Sequence, residues 1–312
     1  MSAPLVSIAL CTYNGAAYLN EQLQSLLAQT YANLEIVVVD DCSKDSTWEI
    51  LTGYASTYPQ FKVYQNEQNL GFVKNFEKAA TLCNGDLIAL CDQDDIWHPE
   101  KIALQVDAIG NNILIYHDSE FIHQDGTPMG TKISDRMNLY RGDQPEAFLF
   151  FNCVSGHEIM MKRRLLDEAL PLKEGYFHDW WLAYVATNIG SIDFLPQALV
   201  QYRQHDKSDT NMLGLARDKN NYKFSSVFKI EKQYKWLGYC ASYPKNRRPE
   251  LINKFYKAYT KKLNSYASLD LARLLYKYRD VVFYMRKKSR LSKMNYIFQQ
   301  IWGTRAKELV DK

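Results

Sequence analysis

The sequence predicts an α/β protein in which a mostly parallel sheet with flanking helices is followed by an α-helical C-terminal region. Three observations support this fold class. Apolar runs alternate with helical patterns over the first hundred residues, the runs are continuous, and the last hundred residues keep helical spacing. Continuous apolar strands are expected where helices cover both faces of a parallel sheet.

The first four predicted strands are short β-rich runs, and most of them end at a polar cluster. They cover residues 6–10, 35–39, 62–64 and 86–90. Helical spacing of apolar residues predicts intervening helices at residues 16–28, 47–55 and 73–83. Beyond residue 110 the pattern is mixed. It predicts strands at residues 113–116 and 198–202, a helix at 179–189 and a polar loop at 131–145.

The net charge of +3 hides two parts of opposite charge. Residues 1–212 carry 14 basic and 28 acidic residues, whereas residues 213–312 carry 24 basic and 7 acidic residues together with 11 of the 22 tyrosines. We expect a globular domain at 1–212 and a basic helical region at 213–312. Basic and aromatic faces on amphipathic helices suit an anionic membrane surface. A solvated basic face is the alternative, and nucleic acid is not expected because no base-reading motif is present.

Composition excludes several classes of protein. A hydrophobic fraction of 46% with 13% aromatic residues is too high for a disordered chain. No apolar run approaches the length that crosses a bilayer, and the N-terminus lacks the pattern of a secretory signal. The six cysteines form no Cys-x-x-Cys pair, so we expect reduced cysteines in a cytosolic protein.

Three carboxylates follow the fourth predicted strand, at Asp92, Asp94 and Asp95. Strand alternation predicts that Asp92 and Asp94 point the same way and Asp95 points the opposite way. Clustered carboxylates suit a hard divalent cation such as Mg²⁺, which keeps positions open for substrate phosphates. The alternative is structural, with Asp94 or Asp95 capping a following helix.

Polar residues also follow the first two strands, and ligands of open α/β sheets bind at such strand ends. Thr12, Tyr13 and Asn14 follow the first strand, and such a segment alone is a common turn. Asp40 and Asp41 follow the second strand. They suit either a cap on the next helix or hydrogen bonds to a nucleobase or ribose.

Four segments, in this order and spacing, resemble the family 2 glycosyltransferases of the GT-A fold. They are residues 6–15, 38–47, 69–71 and 92–97, and the resemblance extends over about residues 4–211. It implies a nucleotide-sugar donor, Mg²⁺ or Mn²⁺, and inversion at the anomeric carbon. It also implies that Asp94 is a metal ligand, with Asp95 as the alternative. The nucleotide or donor contacts that it implies fall on Thr12, Tyr13, Asn14, Asp40, Asp41, Asn69, Asp92 and Asp94.

Two downstream segments extend the resemblance. His178-Asp179-Trp180-Trp181 is similar to the segment that carries the family's catalytic base, which implies that role for Asp179. Residues 202–205 resemble the segment whose histidine completes the metal site, which implies that His205 is a ligand. Together with residues 92–97, they resemble a rhamnosyltransferase-like subset that often uses dTDP-L-rhamnose. Asp206 departs from the pattern, because glycine is usual there.

Four further residues are expected near the donor sugar or the acceptor. The resemblance implies that the first two lie beside the donor sugar and acceptor, and the two tryptophans beside Asp179 suit stacking on acceptor sugar faces, with core packing as the alternative. They are His157, Glu158, Trp180 and Trp181.

The resemblance therefore implies an inverting, metal-dependent glycosyltransferase. We expect it to transfer L-rhamnose to a lipid-linked glycan in cell-surface polysaccharide or O-antigen assembly, at the inner face of the cytoplasmic membrane. A UDP-hexose or UDP-N-acetylhexosamine donor is the first alternative, and a non-catalytic nucleotide-sugar-binding module is the second. A dinucleotide oxidoreductase is not expected, because no G-x-G-x-x-G follows the first strand.

Overall fold

The computed structural model describes residues 3–205 and 226–306, which divide into two compact units. The first unit comprises Met1–Asp135, Leu139–Asp143 and Val154–Lys207. The second comprises Arg136–Asn138, Gln144–Cys153 and Ser208–Lys312. Asp206 lies outside the described residues.

The first unit is built on one mixed sheet, in which the described residues form nine strands in the order β3-β2-β1-β4-β8-β6-β9-β5, with β7 paired to β6. The strands are β1 (Val6–Thr12), β2 (Leu34–Asp40), β3 (Phe61–Gln65), β4 (Leu87–Cys91), β5 (Ile96–Trp97), β6 (Leu114–Ile122), β7 (Pro128–Lys132), β8 (Met160–Lys162) and β9 (Ile192–Arg203). Strands β3, β2, β1 and β4 are parallel, whereas β8 runs antiparallel to β4 and β6. The predicted α/β fold is confirmed, with its parallel part confined to one half of the sheet and to the β6–β9 pair.

Helices cover this sheet because its central strands are apolar on both faces. The helices are α1 (Ala16–Leu27), α2 (Thr47–Thr57), α3 (Phe72–Leu82), α4 (Lys101–Ile109), α5 (Ile133–Arg136), α6 (Arg163–Ala169) and α7 (His178–Ile189). Every residue of β1 and β4 is buried. Leu23 of α1 and Ile102 of α4 join strand residues such as Ile8 in one hydrophobic cluster, which fixes where the strand ends lie.

The loop predicted at residues 131–145 is wrong in its first part. Pro128–Lys132 forms β7 and pairs with β6 in a hairpin, and α5 follows directly. The Asp118 carboxylate accepts the Ser134 N–H at 3.0 Å and the Ser134 hydroxyl, which ties α5 to β6. These partners come from a distant strand, so the polar local sequence did not indicate them.

The second unit is helical, as predicted. Its helices are α8 (Ser226–Ser242), α9 (Pro249–Leu263), α10 (Leu269–Lys277), α11 (Arg279–Val282) and α12 (Arg290–Gln299). Its core includes the buried Trp236, whose indole N–H donates to the Phe148 carbonyl at 3.2 Å. Phe150 packs edge-on against the buried Phe255. No helix among the described residues of either unit is long and apolar enough to cross a membrane.

Candidate active site

The carboxyl ends of β1 and β2 are joined by direct hydrogen bonds. Thr12 Oγ1 donates to Asp40 Oδ1 at 2.9 Å, and the Asp41 N–H donates to the Thr12 carbonyl at 2.8 Å. The Asp40 carboxylate is fully buried and also accepts the Ser43 N–H and the Gln65 side-chain amide, each at 3.0 Å. Asp40 therefore orders the loops around the end of β2.

Asp41 shapes the Asn69-Leu70-Gly71 turn. Its Oδ1 accepts the Leu70 N–H at 2.8 Å and its Oδ2 accepts the Gly71 N–H at 2.9 Å. Gly71 has a φ of 81°, which favours glycine at this position. Asn69 is exposed, and its side-chain amide donates to the Asp41 carbonyl at 3.3 Å. The turn therefore presents Asn69 beside the ends of β1 and β2.

Gln93 holds the loop after β1, a role that its place within the carboxylate motif did not indicate. The Tyr13 N–H donates to Gln93 Oε1 at 2.8 Å, and Gln93 Nε2 donates to the Tyr13 carbonyl at 3.0 Å. A Cβ at Gly15 would lie 2.1 Å from Gln93 Oε1, so a larger residue there would displace the Gln93 amide from this pairing. Asn14 is fixed separately, because its Oδ1 accepts the Lys44 N–H at 2.8 Å. Two-way amide pairing thus links the first loop to the carboxylate segment.

The segment Asp92–Asp95 is a loop, and this overturns two sequence expectations. Strand β4 ends at Cys91, so the alternation of side chains does not continue through Asp92 and Asp94. Strand β5 at Ile96–Trp97 stands between Asp95 and α4, so neither Asp94 nor Asp95 caps that helix. Because this loop lacks strand geometry, Asp92 and Asp95 both face His157, whereas Asp94 faces His205.

The first group joins Asp92 and Asp95 to His157. His157 Nδ1 lies 3.7 Å from Asp92 Oδ2 and 3.7 Å from Asp95 Oδ2. The side chains of Asp95 and His157 are 0% and 2% exposed, whereas that of Asp92 is 37% exposed. Among the described residues, Asp95 Oδ2 has no hydrogen-bond partner. Burial and the charges of Asp94 and Asp92 raise the pKa of Asp95 well above its usual range.

The second group joins Asp94 to His205. His205 Nε2 lies 2.7 Å from Asp94 Oδ2, and their side chains are 10% and 17% exposed. The His205 ring stacks on Tyr18 of α1, with 4.9 Å between ring centroids. This pair is the one that the family resemblance implies as the metal ligands.

Arg203 forms hydrogen bonds with residues of both groups. Its backbone N–H donates to Asp95 Oδ1 at 3.0 Å, and its Nε donates to the Asp94 carbonyl at 2.8 Å. Its other guanidinium nitrogens bond the Gln124 carbonyl and the Glu21 carboxylate. Because these partners come from distant parts of the chain, no local spacing indicates the contact.

Both groups have the chemistry of a divalent-cation site. Carboxylate oxygens and imidazole nitrogens are ligands for Mn²⁺ and related ions. The ligand atoms of Asp92, Asp95 and His157 all lie within 4.8 Å of one another, and the unpartnered Asp95 Oδ2 leaves a lone pair unused. A metal that also contacts a bulky diphosphate needs ligands that solvent reaches. Asp94 and His205 meet that condition better than the buried Asp95 and His157.

The N-terminus of α7 packs against Phe76 and Gly156. His178 stacks on Phe76 with 4.2 Å between ring centroids, and a Cβ at Gly156 would lie 2.8 Å from His178 Nε2. Burial lowers the pKa of His178 to about 4, and the nearby Asp92 charge acts in the opposite direction. Asp179 follows in the first turn of α7 and is partly exposed.

His157 and Glu158 lie in a short 3-10 helix, Gly156–Glu158, and form a buried network with Ser119. The Ser119 hydroxyl donates to Glu158 Oε1 at 2.7 Å and lies 3.0 Å from His157 Nε2. Burial raises the pKa of Glu158 well above its usual range, and the Asp118 and Asp179 charges act in the same direction. The close approach of Gly156 to His178 brings the α7 N-terminus near this 3-10 helix.

The two tryptophans of α7 have different surroundings. Trp181 is buried, and its indole N–H donates to the Ala169 carbonyl at 2.7 Å. Its ring also stacks with Tyr184. Trp180 is partly exposed. Trp181 therefore packs in the core of the unit, and Trp180 is the one with surface to offer a ligand.

Comparisons with known proteins agree with the resemblance. A family model described as Glycosyl transferase family 2 matches residues 7–170. An uncharacterized glycosyltransferase of Haemophilus influenzae is 29% identical over 229 residues, which cover 68% of this chain and 69% of the relative. Another, of Rickettsia typhi, is 30% identical over 220 residues, which cover 67% of each protein.

Solved structures share the fold at low sequence identity. S. aureus TarS 1-349 in complex with UDP-GlcNAc matches with a TM-score of 0.59 and 19% identity, covering 89% of this chain and 81% of that one. The mannosyltransferase PcManGT from Pyrobaculum calidifontis, in complex with GDP-Man and Mn²⁺, matches with a TM-score of 0.52 and 17% identity. It covers 100% of this chain and 89% of that one. These similarities confirm the GT-A fold.

Proposed function

This chain belongs to glycosyltransferase family 2, and we propose that it transfers a sugar, with inversion, from a nucleoside-diphosphate donor to a glycan hydroxyl. The observation that carries the proposal is the convergence of three parts of the chain at one edge of the sheet. His205, just after β9, contacts Asp94 of the Asp92–Asp95 loop. His157 contacts Asp92 of the same loop, and its neighbour Gly156 packs against His178 at the start of α7.

The donor contacts that we propose fall on the loops after β1, β2 and β4. Tyr13, Asn14 and Asn69 line the nucleoside side, with Thr12 behind them. Asp40 and Asp41 act on the donor by ordering these loops, because protein groups already occupy their carboxylate oxygens. Asp92 keeps partial exposure and faces the ribose or the donor sugar.

We propose that Asp94 and His205 hold Mg²⁺ or Mn²⁺ when the donor is bound. The cation would supply Lewis-acid stabilisation of charge on the departing diphosphate. Tyr18 and Arg203 keep the two ligands aligned, through the ring stack on His205 and the hydrogen bond to the Asp94 carbonyl. Asp95 is the alternative ligand, through the group it forms with Asp92 and His157.

Asp179 is our proposed general base. Its carboxylate accepts the proton of the acceptor hydroxyl as that oxygen bonds to the anomeric carbon and the nucleoside diphosphate leaves with its bonding electrons. The proposed acceptor surface includes Trp180, whose partly exposed ring can stack on a sugar face. We propose that His157 and Glu158 support this surface from the protein interior, since both are buried and contact Ser119.

The donor we favour is dTDP-L-rhamnose, because residues 92–97, 178–181 and 202–205 resemble the rhamnosyltransferase-like subset. A UDP-hexose or UDP-N-acetylhexosamine is the alternative, and the TarS complex with UDP-GlcNAc supports including it. We further propose a lipid-linked glycan acceptor in cell-surface polysaccharide or O-antigen assembly, at the inner face of the cytoplasmic membrane. The basic C-terminal region supports that location.

A donor panel tests the proposal. Purified protein is heated with dTDP-L-rhamnose, UDP-GlcNAc, UDP-galactose or GDP-mannose, each with and without Mn²⁺, and the unfolding temperature is recorded. Only a true donor should raise it strongly, since a ligand at about 100 times its Kd stabilises by about 2.7 kcal/mol. The same donors are then assayed for release of nucleoside diphosphate. Binding of a donor without metal-dependent turnover would favour a non-catalytic binding module instead.

A further inference from the structure

Helix α12 has apolar side chains on an exposed face as well as on the face that is buried in its own unit. Its inner face carries the buried Ile297. On the outer face, Leu291 is 80% exposed, Met294 is 41% exposed and Phe298 is 56% exposed. Spacings of three and four residues align these side chains along one side of a helix. Contiguous apolar side chains exposed on a globular protein commonly mark an interaction site.

The row continues past the end of the helix. Trp302 is 47% exposed and meets Phe298 edge-on, with 6.3 Å between ring centroids. Trp302 also pairs with Ala267, which brings the exposed Tyr266 and Leu269 into the neighbourhood. We call Leu291, Met294, Phe298 and Trp302 the outward stripe.

All the charged residues around the outward stripe are basic. Residues 281–306 contain no Asp or Glu, and their basic residues are Arg286, Lys287, Lys288, Arg290, Lys293 and Arg305. Lys288 and Arg290 are exposed just before the stripe begins. Neither makes an ion pair with any of the described residues. The stripe is therefore apolar along its length and cationic at its flank.

This combination identifies the class of partner. Cores of protein interfaces are depleted in lysine, and a nucleic acid offers nothing for exposed Leu291 and Met294 to bury against. An anionic bilayer satisfies both features, since its acyl boundary takes up apolar side chains and its headgroups attract cations. Tryptophan at the end of the stripe suits the interfacial layer. We propose that the outward stripe inserts into the interfacial layer of an anionic phospholipid bilayer.

Vesicle flotation tests this on the full chain, without substrate, so its outcome is independent of the transferase proposal. Vesicles of phosphatidylcholine alone are compared with vesicles containing equal parts of phosphatidylcholine and phosphatidylglycerol. We expect binding only to the anionic vesicles, weakening as salt rises. The pair Leu291→Ser with Phe298→Ser should reduce partitioning at least about tenfold. Phe228→Ser, which changes an exposed aromatic of α8, should leave it unchanged.

The basic flank has its own matched control. Lys288→Gln with Arg290→Gln should weaken partitioning about 10- to 30-fold, since each cation near the surface contributes about 1 kcal/mol. Lys254→Gln with Lys257→Gln removes the same charge from exposed positions of α9 and should have a much smaller effect. If both double variants lost the same amount of vesicle binding, the binding would depend only on net charge, and the proposed site would be overturned.

Insertion itself is read from Trp302. Phospholipids with brominated acyl chains should quench part of the tryptophan fluorescence, and Trp302→Phe should remove that quenching. Circular dichroism checks that each variant remains folded. Two outcomes would overturn the proposal. One is vesicle binding that the stripe variants do not reduce. The other is a dimer by light scattering that Leu291→Ser with Phe298→Ser converts to monomer, which would make the stripe an interface between copies of this chain.

Discussion

His205 Nε2 lies 2.7 Å from Asp94 Oδ2, although 111 positions separate the two residues along the chain. The contact forms because Asp94 follows β4 while His205 follows β9, and because Arg203 bonds the Asp94 carbonyl from the end of β9. A second carboxylate and histidine group stands on the same loop, formed by Asp92, Asp95 and His157. Substitutions in the two groups should therefore change the metal dependence of transfer differently.

Asp94→Asn and His205→Asn should each raise the Mn²⁺ concentration for half-maximal transfer by at least about 10- to 100-fold, which is the loss expected when even a residue that only orients a metal ligand is removed. Asp95→Asn should change it by only a few fold, because asparagine retains an oxygen to accept the Arg203 N–H. Transfer rates across a Mn²⁺ titration measure this. If Asp95→Asn and His157→Asn abolish the metal response while Asp94→Asn leaves it intact, the buried group holds the ion.

Asp179→Asn should lower the transfer rate about 10²- to 10⁴-fold, since the amide cannot take the acceptor proton. Donor affinity should stay within a few fold, because the proposed donor contacts come from other loops. Single-turnover transfer and calorimetric donor binding measure the two effects separately. The control is Asp167→Asn, an exposed carboxylate on the neighbouring helix α6. A variant at Asp179 that transfers at the wild-type rate would remove Asp179 from the mechanism.

Gly156→Ala should destabilise the protein by about 1–3 kcal/mol, because its Cβ would lie 2.8 Å from Nε2 of the His178 imidazole, which is buried and stacked on Phe76. The cost should shrink in the background of His178→Ala, which removes the clashing ring. Urea unfolding of the two single variants and the double variant gives the coupling energy. Gly53→Ala is the control, since nothing lies within 4 Å of its added Cβ and a slight gain in stability is expected. Additive effects of Gly156→Ala and His178→Ala would contradict the contact.

The sequence is most informative where the structure is locally encoded. Strands β1, β2 and β4 were predicted to within two residues because both of their faces are buried and the apolar runs are continuous. The GT-A fold followed from the order of the motifs. The pairing of Asp92 with Asp95 was not foreseen, because the prediction extended strand alternation beyond Cys91, where β4 ends.

Long-range polar contacts were beyond what the sequence could indicate. Gln93 was visible within its motif, yet its amide pairing with Tyr13 joins residues 80 positions apart. Arg203 bonds Glu21, Asp94, Asp95 and Gln124, and no spacing rule relates these positions. The hairpin of β7 was likewise missed, because its polar residues gain strand geometry only from pairing with β6.

Glu35 ties the opposite end of the sheet together. Its side chain is only 8% exposed, and its oxygens accept hydrogen bonds from Lys62, Ser7 and Asn84. Burial alone would raise the pKa of Glu35, but these hydrogen bonds outweigh it and lower the pKa from 4.5 to about 2. A carboxylate with a lower pKa in the folded state stabilises that state above its unfolded pKa.

Glu35→Gln should therefore cost about 3 kcal/mol of the free energy of unfolding at neutral pH. The wild-type advantage should be nearly complete above pH 4.5 and should shrink as the pH falls to about 2, because below that pH Glu35 is protonated in both states. Urea unfolding of both proteins from pH 7 to pH 2 measures the difference in their free energies of unfolding. The titration of the other carboxylates is common to both proteins and cancels in this difference. Glu49→Gln on α2, at a carboxylate with no ion pair among the described residues, should give parallel curves. A difference for Glu35→Gln that stays constant down to pH 2 would show that the lost side-chain packing, and not the charge, stabilises this end of the sheet.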